Sequence, residues 1–218
     1  MGDRASERRS PYEDALGASL DELHPRLRAY FSAIPYGSVG VGTGVFDTVG
    51  TPRRWLWPLL WPFGRAGVMF GVWERDVPFT VVNRPVIPDV GVPAVASERI
   101  FHLASGDRTM VDRIASSGGL SRSVTDALGS GGRVHSRLDA SIVDGSLRLR
   151  STAVAVRIAR LTIRIPGVIS PVVTLVERWD DDADEQRVSI VVDAPLIGRL
   201  YEYAGRFTYA VRPGEATP

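Results

Sequence analysis

Arg99 and Glu177 are the charged residues of this sequence with the clearest capacity for chemistry. Each stands inside a strand-like stretch, "SERIFHL" and "LVERW", and from there points either to solvent or into an interior. An inward charge must be paired or must meet a polar ligand. In such a site Arg99 would orient an anion, Glu177 would act as a base, and Tyr203 would donate a hydrogen bond. No reaction motif accompanies them. His24, His102 and His135 lack a second histidine or a carboxylate at metal-ligand spacing, and no serine sits in a Gly-x-Ser-x-Gly elbow. The absence of cysteine excludes thiol catalysis, thiolate metal sites and disulfides. The acidic run "DDDADE" has neither the ligand spacing nor the central glycine of a calcium loop. No catalytic residue, metal or cofactor is assigned from these patterns.

The elements that must position Arg99 and Glu177 read mostly as strands. In "RVHSRLDASIVDGSLRLRSTAVAV" the Asp144-Gly145 pair favours a two-residue type I′ turn. Pivoting there sets Ile142 opposite Leu147, Ala140 opposite Leu149, Leu138 opposite Ser151 and Val134 opposite Ala155. Asp139 then faces Arg150, and Ser141 faces Arg148, on the other side. Period-two patterns predict further strands around 68–74, 77–83, 95–103, 107–115, 120–127 and 199–211, with others in "VVTLVERW" and at Val188, Ile190 and Val192. In "GVGTGVF" the glycines share one face of a strand. A turn follows them, where a phosphate-cradling loop would open a helix, so they serve a bend or a close approach.

Helix is confined to the front. "PYEDALGASLDELHPRLRAYFSAI" spaces Tyr12, Leu16, Leu20, Leu23, Leu27 and Phe31 three and four apart. Gly17 can end one helix, Ser19 with Glu22 has the pattern of a capping box, and Pro25 suits the start of another helix. The expected fold is one α+β domain over 10–212, mostly antiparallel β. It is a curved sheet or barrel-like half-barrel with an N-terminal helical pair packed on it, between a disordered tail at 1–9 and a C-terminal tail at 213–218.

Composition narrows the function classes. A chain of 218 residues with 44% hydrophobic content can bury a sizeable core. All 26 basic residues are arginine, yet the net charge is +1, which argues against a dedicated nucleic-acid binder. The first ten residues have no apolar run of a secretory signal, and no segment approaches the ~18 apolar residues of a spanning helix. The expected location is cytoplasmic, with membrane-peripheral contact open.

The chain resembles a bacterial family known as domain of unknown function 4166. The resemblance rests on "YEDALGASLDELHPRLRAYF", "GVGTGVF", the proline pair of "IPGVISP", Glu177, and "APLIGRLYEYAGRF" with Pro195, Gly198, Tyr203 and Gly205 at its marked positions. Where the family has Trp-x-Arg, this chain has Ser97-Glu98-Arg99. The resemblance brings no assigned activity. Because family members occur joined to nucleotide-binding oxidoreductase domains, it implies an accessory or ligand-presenting role, with an oxidoreductase as a possible partner.

One segment stands apart from the rest. "RRWLWPLLWPFGR" places Trp55, Trp57, Trp61 and Phe63 between arginines. Its prolines argue against one continuous helix, and its length is far below a membrane span. The expectation is an ordered, half-buried loop whose aromatics plug one end of the barrel. A peripheral membrane or partner contact and a mobile pocket lid are the alternatives. Together these features suggest a non-catalytic binding module with a mostly apolar pocket for a lipid-like or other hydrophobic small molecule. The alternative is an enzyme, or an accessory domain of an oxidoreductase, working in the same pocket.

Overall fold

Sixteen segments of helix and strand follow one another with short turns between them. The computed structural model describes residues 9–35, 37–86, 92–118 and 121–214. Most of both expected tails, 1–8 and 215–218, lies outside the described residues. The helical front comprises α1 (Pro11–Leu16), a 3-10 segment (Gly17–Glu22) and α2 (Pro25–Phe31). Strand β1 (Ser38–Gly50) follows, then a 3-10 turn (Arg54–Leu56), α3 (Trp57–Arg65) and β2 (Trp73–Val86). Next come β3 (Ala94–Leu103), β4 (Gly106–Ser116), β5 (Ser123–Leu128), β6 (Val134–Val143) and β7 (Ser146–Ile158). The chain ends with β8 (Leu161–Arg164), β9 (Val172–Asp180), β10 (Glu185–Ala194) and β11 (Gly198–Pro213).

All pairings are antiparallel, in the order β6-β5-β4-β3-β2-β1-β11-β10-β9-β7. The additional β6–β7 pairing closes this run into a ten-stranded barrel, and β8 extends from β7 as a hairpin. The expected half-barrel is therefore closed, which leaves no long strand edge unpaired. The Asp144-Gly145 hairpin forms in the expected register from Val143 to Leu138, with φ of 51° and 71° at the turn. Farther out a bulge between Arg137 and Leu138 shifts the pairing, so Val134 faces Val156 and not Ala155. The strands expected at 68–74 and 77–83 also differ. Residues from Trp73 on belong to β2, while Val68 and Phe70 lie in an irregular segment, 1% and 3% exposed.

The β1 glycines face the barrel interior and make room for β11. Where Gly40 would carry a Cβ, the Tyr209 ring lies; at Gly44 the position is taken by the Arg206 carbonyl oxygen and Phe207. The Gly44 obstacle is backbone, which cannot rotate away. Gly44→Ala is expected to destabilise the barrel by about 1–3 kcal/mol in urea unfolding; an unchanged midpoint would refute the close-approach role.

Alternating turns give the barrel two distinct ends. The helical front closes the end that carries the β4–β5, β6–β7 and β9–β10 turns. There Ser116 Oγ bonds Asp14, His24 N donates to the Gly145 carbonyl at 3.0 Å, and His24 stacks on Trp179. Leu16, Leu20, Leu23, Leu27 and Phe31 pack on inward residues such as Leu138, Leu147 and Leu149, each buried side chain contributing about 1.5–3 kcal/mol. Gly17 ends α1 as expected, with φ 54°. The capping box, however, is Ser10 with Glu13, and no side-chain cap forms at the 3-10 segment where Ser19 and Glu22 suggested one.

The tryptophan stretch closes the opposite end, in a form the sequence reading did not anticipate. Residues 57–65 make one helix, because Pro58 falls in its first turn and Pro62 is carried inside it. The first position needs no N–H, and the second removes one intrahelical bond. Leu56 and Leu60, four apart on one helix face, are 2% and 3% exposed, whereas Trp55 and Trp61 are 59% and 62% exposed. A helix lying across the barrel mouth can bury only one side, and Val68 and Phe70 fill the space expected for the tryptophans.

Candidate functional site

A line of polar side chains runs through the middle of the barrel, between the two closed ends. Alternation along β3 turns Ser97, Arg99 and Phe101 to one side, and the register pairs Ser97 with Asp112 and Arg99 with Met110 on β4. On β9, Glu177 shares the inward phase of Leu175, and Gln186 on β10 reaches it. On β11 Tyr203 lies inward, 4% exposed.

Arg99 is the hub of this arrangement. Its Nη1 donates to the Tyr203 hydroxyl at 3.3 Å, lies 3.7 Å from Asp112 Oδ1, and contacts Met110 Sδ at 3.6 Å. Its guanidinium carbon also sits 5.7 Å from the Tyr203 ring centre, a cation–π contact. Burial opposes the Arg99 charge, but Tyr203, Asp112, Tyr30 and Glu177 around it more than offset this, so the guanidinium stays protonated. The sequence reading gave Arg99 an anion to orient; within the cluster Asp112 is the carboxyl that lies beside it.

The carboxyls are held less comfortably. Burial pushes Glu177 up from 4.5 to about 7, against the opposing influence of the Gln186 amide and Arg99. Burial likewise raises Asp112 and Asp126, with the Asp112 charge adding to the rise at Asp126. Asp126 Oδ1 is buried without a hydrogen-bond partner among the described residues. Burial also raises the hydroxyls of Tyr12, Tyr30 and Tyr203, which keeps them as protonated hydrogen-bonding groups.

Arg99, Asp112 and Glu177 line one cavity of about 60 Å³, whose wall on the helical side is Tyr12, Tyr30 and Phe31. That volume suits several waters or a small polar group, since a water needs ~10–15 Å³ of such space. Ser97 Oγ donates to Asn83 Oδ1 at 2.8 Å and Asn83 Nδ2 donates to the Tyr209 hydroxyl at 3.4 Å, extending the polar lining. Of the three residues singled out from the sequence, two face the cavity, and Tyr203 stands behind Arg99.

With this geometry in place, the chain can be compared with known proteins. A family model described as Domain of unknown function (DUF4166) matches residues 23–207. The chain belongs to the DUF4166 family. The matched span includes every barrel strand in whole or in large part, with Arg99, Asp112, Asp126, Glu177 and Tyr203, and leaves out α1 with its capping box. No curated protein matches this DUF4166 chain.

Asp112, Asp126 and Gln186 were missed by sequence reasoning, although two of them left a signal. Asp112 falls between Met110 and Ile114, and Asp126 between Val124 and Leu128, each in the inward phase of an apolar alternation. The histidines stay outside the cluster. His24 lies 3.2 Å from Asp181 and His102 lies 2.9 Å from Asp107, both at the surface. Trp57 and Trp61 line an open groove of about 780 Å³ beside α3, with Trp73, Arg65 and Arg108, at the barrel end away from Glu177.

Proposed function

We propose that this DUF4166 barrel is a non-catalytic binding module for a hydrophobic small molecule that carries a polar, hydrogen-bond-donating head. The observation that carries the reading is a buried guanidinium with Asp112 beside it and two further buried carboxyls, Glu177 on the same cavity and Asp126 with an unpartnered oxygen among the described residues. A barrel interior built only for stability fills with apolar side chains, and unpaired buried charge costs several kcal/mol. A cluster with more acceptors than cations favours a hydroxyl or amine head over an acid. The 60 Å³ cavity has room for that head alone, and the aromatic wall of Tyr12, Tyr30 and Phe31 must yield to the apolar remainder. Ligand sites commonly have volumes of roughly 300–1,000 Å³, so binding would loosen the helical front.

The test is a headgroup series of one chain length. Dodecanol, dodecylamine and dodecanoate, each below its micelle concentration, would be added to delipidated protein and the thermal midpoint measured. Stabilisation by the alcohol or amine over the acid is expected. A flat response to all three, or stabilisation by the acid alone, would overturn the proposal.

Glu177 sustains a second reading. A carboxyl at about 7 exchanges its proton at neutral pH and is matched to general acid–base work. In that reading the same cavity would serve an enzyme, or an accessory domain presenting its molecule to an oxidoreductase. Turnover of a bound molecule that Glu177→Gln abolishes without loss of binding would favour it.

A further inference from the structure

The outer surface of the barrel is asymmetric from one end to the other, and the interior cluster plays no part in this. The fold leaves α3 apolar on the side facing solvent. Trp55, Leu59 and Trp61 are 59%, 61% and 62% exposed, and Pro58 and Pro62 lie exposed beside them. A surface helix ordinarily turns a polar face to water.

The neighbouring turns repeat the pattern. Ile158, Leu161 and Ile163 on the β7–β8 hairpin are 59%, 67% and 49% exposed. That hairpin rises at the α3 end, because Arg157 bonds the β5–β6 turn through Arg133 O, and the same turn bonds the α3 end through Ser130 N and Ala66 O. Val168 and Ile169, just before β9, and Leu196, in the β10–β11 turn, are 84%, 58% and 104% exposed. These two connections meet at one end, since Val172 pairs with Asp193, and the second turn touches the α3 side through Gly198 and Arg53.

Charge follows the same axis. Arg53, Arg54, Arg65 and Arg108 surround α3, and Arg157, Arg160 and Arg164 lie on or beside the hairpin, all exposed. None of the seven is in a salt bridge among the described residues. Arg65 stacks over Trp61 at 5.0 Å and Arg54 over Trp57 at 5.7 Å. The far end carries the acidic turn at Asp181, Asp182 and Asp184, with Asp144 and Asp21 near it, and Arg26 and Arg28 there face Asp184 and Asp21. Exposed Arg122 and Arg212 at the far end, and Asp107 and Asp193 at the α3 end, soften this contrast without removing it, and the net charge of +1 conceals it.

We propose that the α3 end docks on the surface of an anionic phospholipid bilayer. α3 and the β7–β8 hairpin enter the interfacial region, and the surrounding arginines meet lipid phosphates. Tryptophan and arginine are both satisfied at that depth, and exposed apolar side chains gathered at one end mark an interaction surface. The barrel wall stays out of the lipid, since its outward face carries Arg137, Asp139, Arg148 and Arg150. Among the described residues no helix is long and apolar enough to cross a membrane.

Flotation of the full chain tests this with vesicles of phosphatidylcholine alone and vesicles containing roughly one third phosphatidylglycerol. Binding should favour the anionic vesicles and weaken with salt, because each arginine near such a surface adds roughly fivefold to the partition. The triple variant Trp55→Ala, Leu59→Ala, Trp61→Ala should lose at least roughly tenfold in partition with an unchanged circular dichroism spectrum. Arg54→Gln with Arg65→Gln, which spares the apolar face, should lose roughly thirtyfold on anionic vesicles only. No binding, or binding that both variants retain, overturns the proposal. So does a dimer of the wild type that the triple variant dissociates, since a second copy would then cover this face.

Discussion

Arg99→Met should destabilise the barrel by roughly 3–5 kcal/mol, among the larger losses open to a single change in this chain. The side chain is replaced by one of similar reach, so packing is largely kept and the loss is electrostatic. Asp112 would keep its burial, with side-chain exposure of 7%, but lose the guanidinium 3.7 Å away. Asp126, already without a partner for Oδ1, would lose the positive charge that opposes its rise. Without the guanidinium both carboxyls are pushed further toward their protonated forms, so the loss should shrink as the pH falls. Adding Asp112→Asn should restore most of the stability, because a buried pair can often be replaced as a unit at little cost. Urea unfolding of the two variants measures this, and equal losses in the single and double variants would contradict the paired arrangement.

Glu177→Gln should act in the opposite direction. The folded protein holds the Glu177 proton up to about pH 7, whereas the unfolded chain releases it near 4.5. Between those values the native state binds the extra proton, so stability falls as the pH rises through this window. Above it the charged carboxylate costs roughly 3 kcal/mol. The glutamine removes that cost while its amide oxygen still accepts from Gln186. Stability at pH 8 should therefore rise by about 2–3 kcal/mol and at pH 4 stay nearly unchanged. A loss of equal size at both pH values would show that Glu177 is held for stability. A residue that weakens its own fold at neutral pH is the pattern expected where function opposes stability.

Much of the barrel was legible, and what escaped has identifiable causes. Asp144-Gly145 carries its turn in two residues, so the hairpin register followed from local chemistry. The bulge at Arg137 escaped because nothing in the alternation of β6 marks an extra residue on β7. Closure escaped for a related reason: the β6–β7 pair is a local hairpin that also joins the two ends of a ring, and only the long-range β1–β11 pairing reveals the ring. Arg99 and Glu177 were found because a charge interrupts an apolar stretch. The same interruption was passed over at Asp112 because the other face of β4 also carries charge, at Asp107 and Arg113, and at Asp126 because β5 has only six residues in which a single charge could break the alternation. For the tryptophan stretch, composition suggested burial, but a helix across a barrel mouth exposes half of whatever it carries. Only the spacing of Leu56 and Leu60 announced which half would be buried.

The central claim is that the interior charges serve a bound molecule. Native mass spectrometry of the gently purified wild type beside the Arg99→Met, Asp112→Asn double variant addresses it most directly. The account predicts an additional mass of a small organic molecule on the wild type, and its absence from a double variant that remains folded. The same mass retained by both proteins would contradict the account.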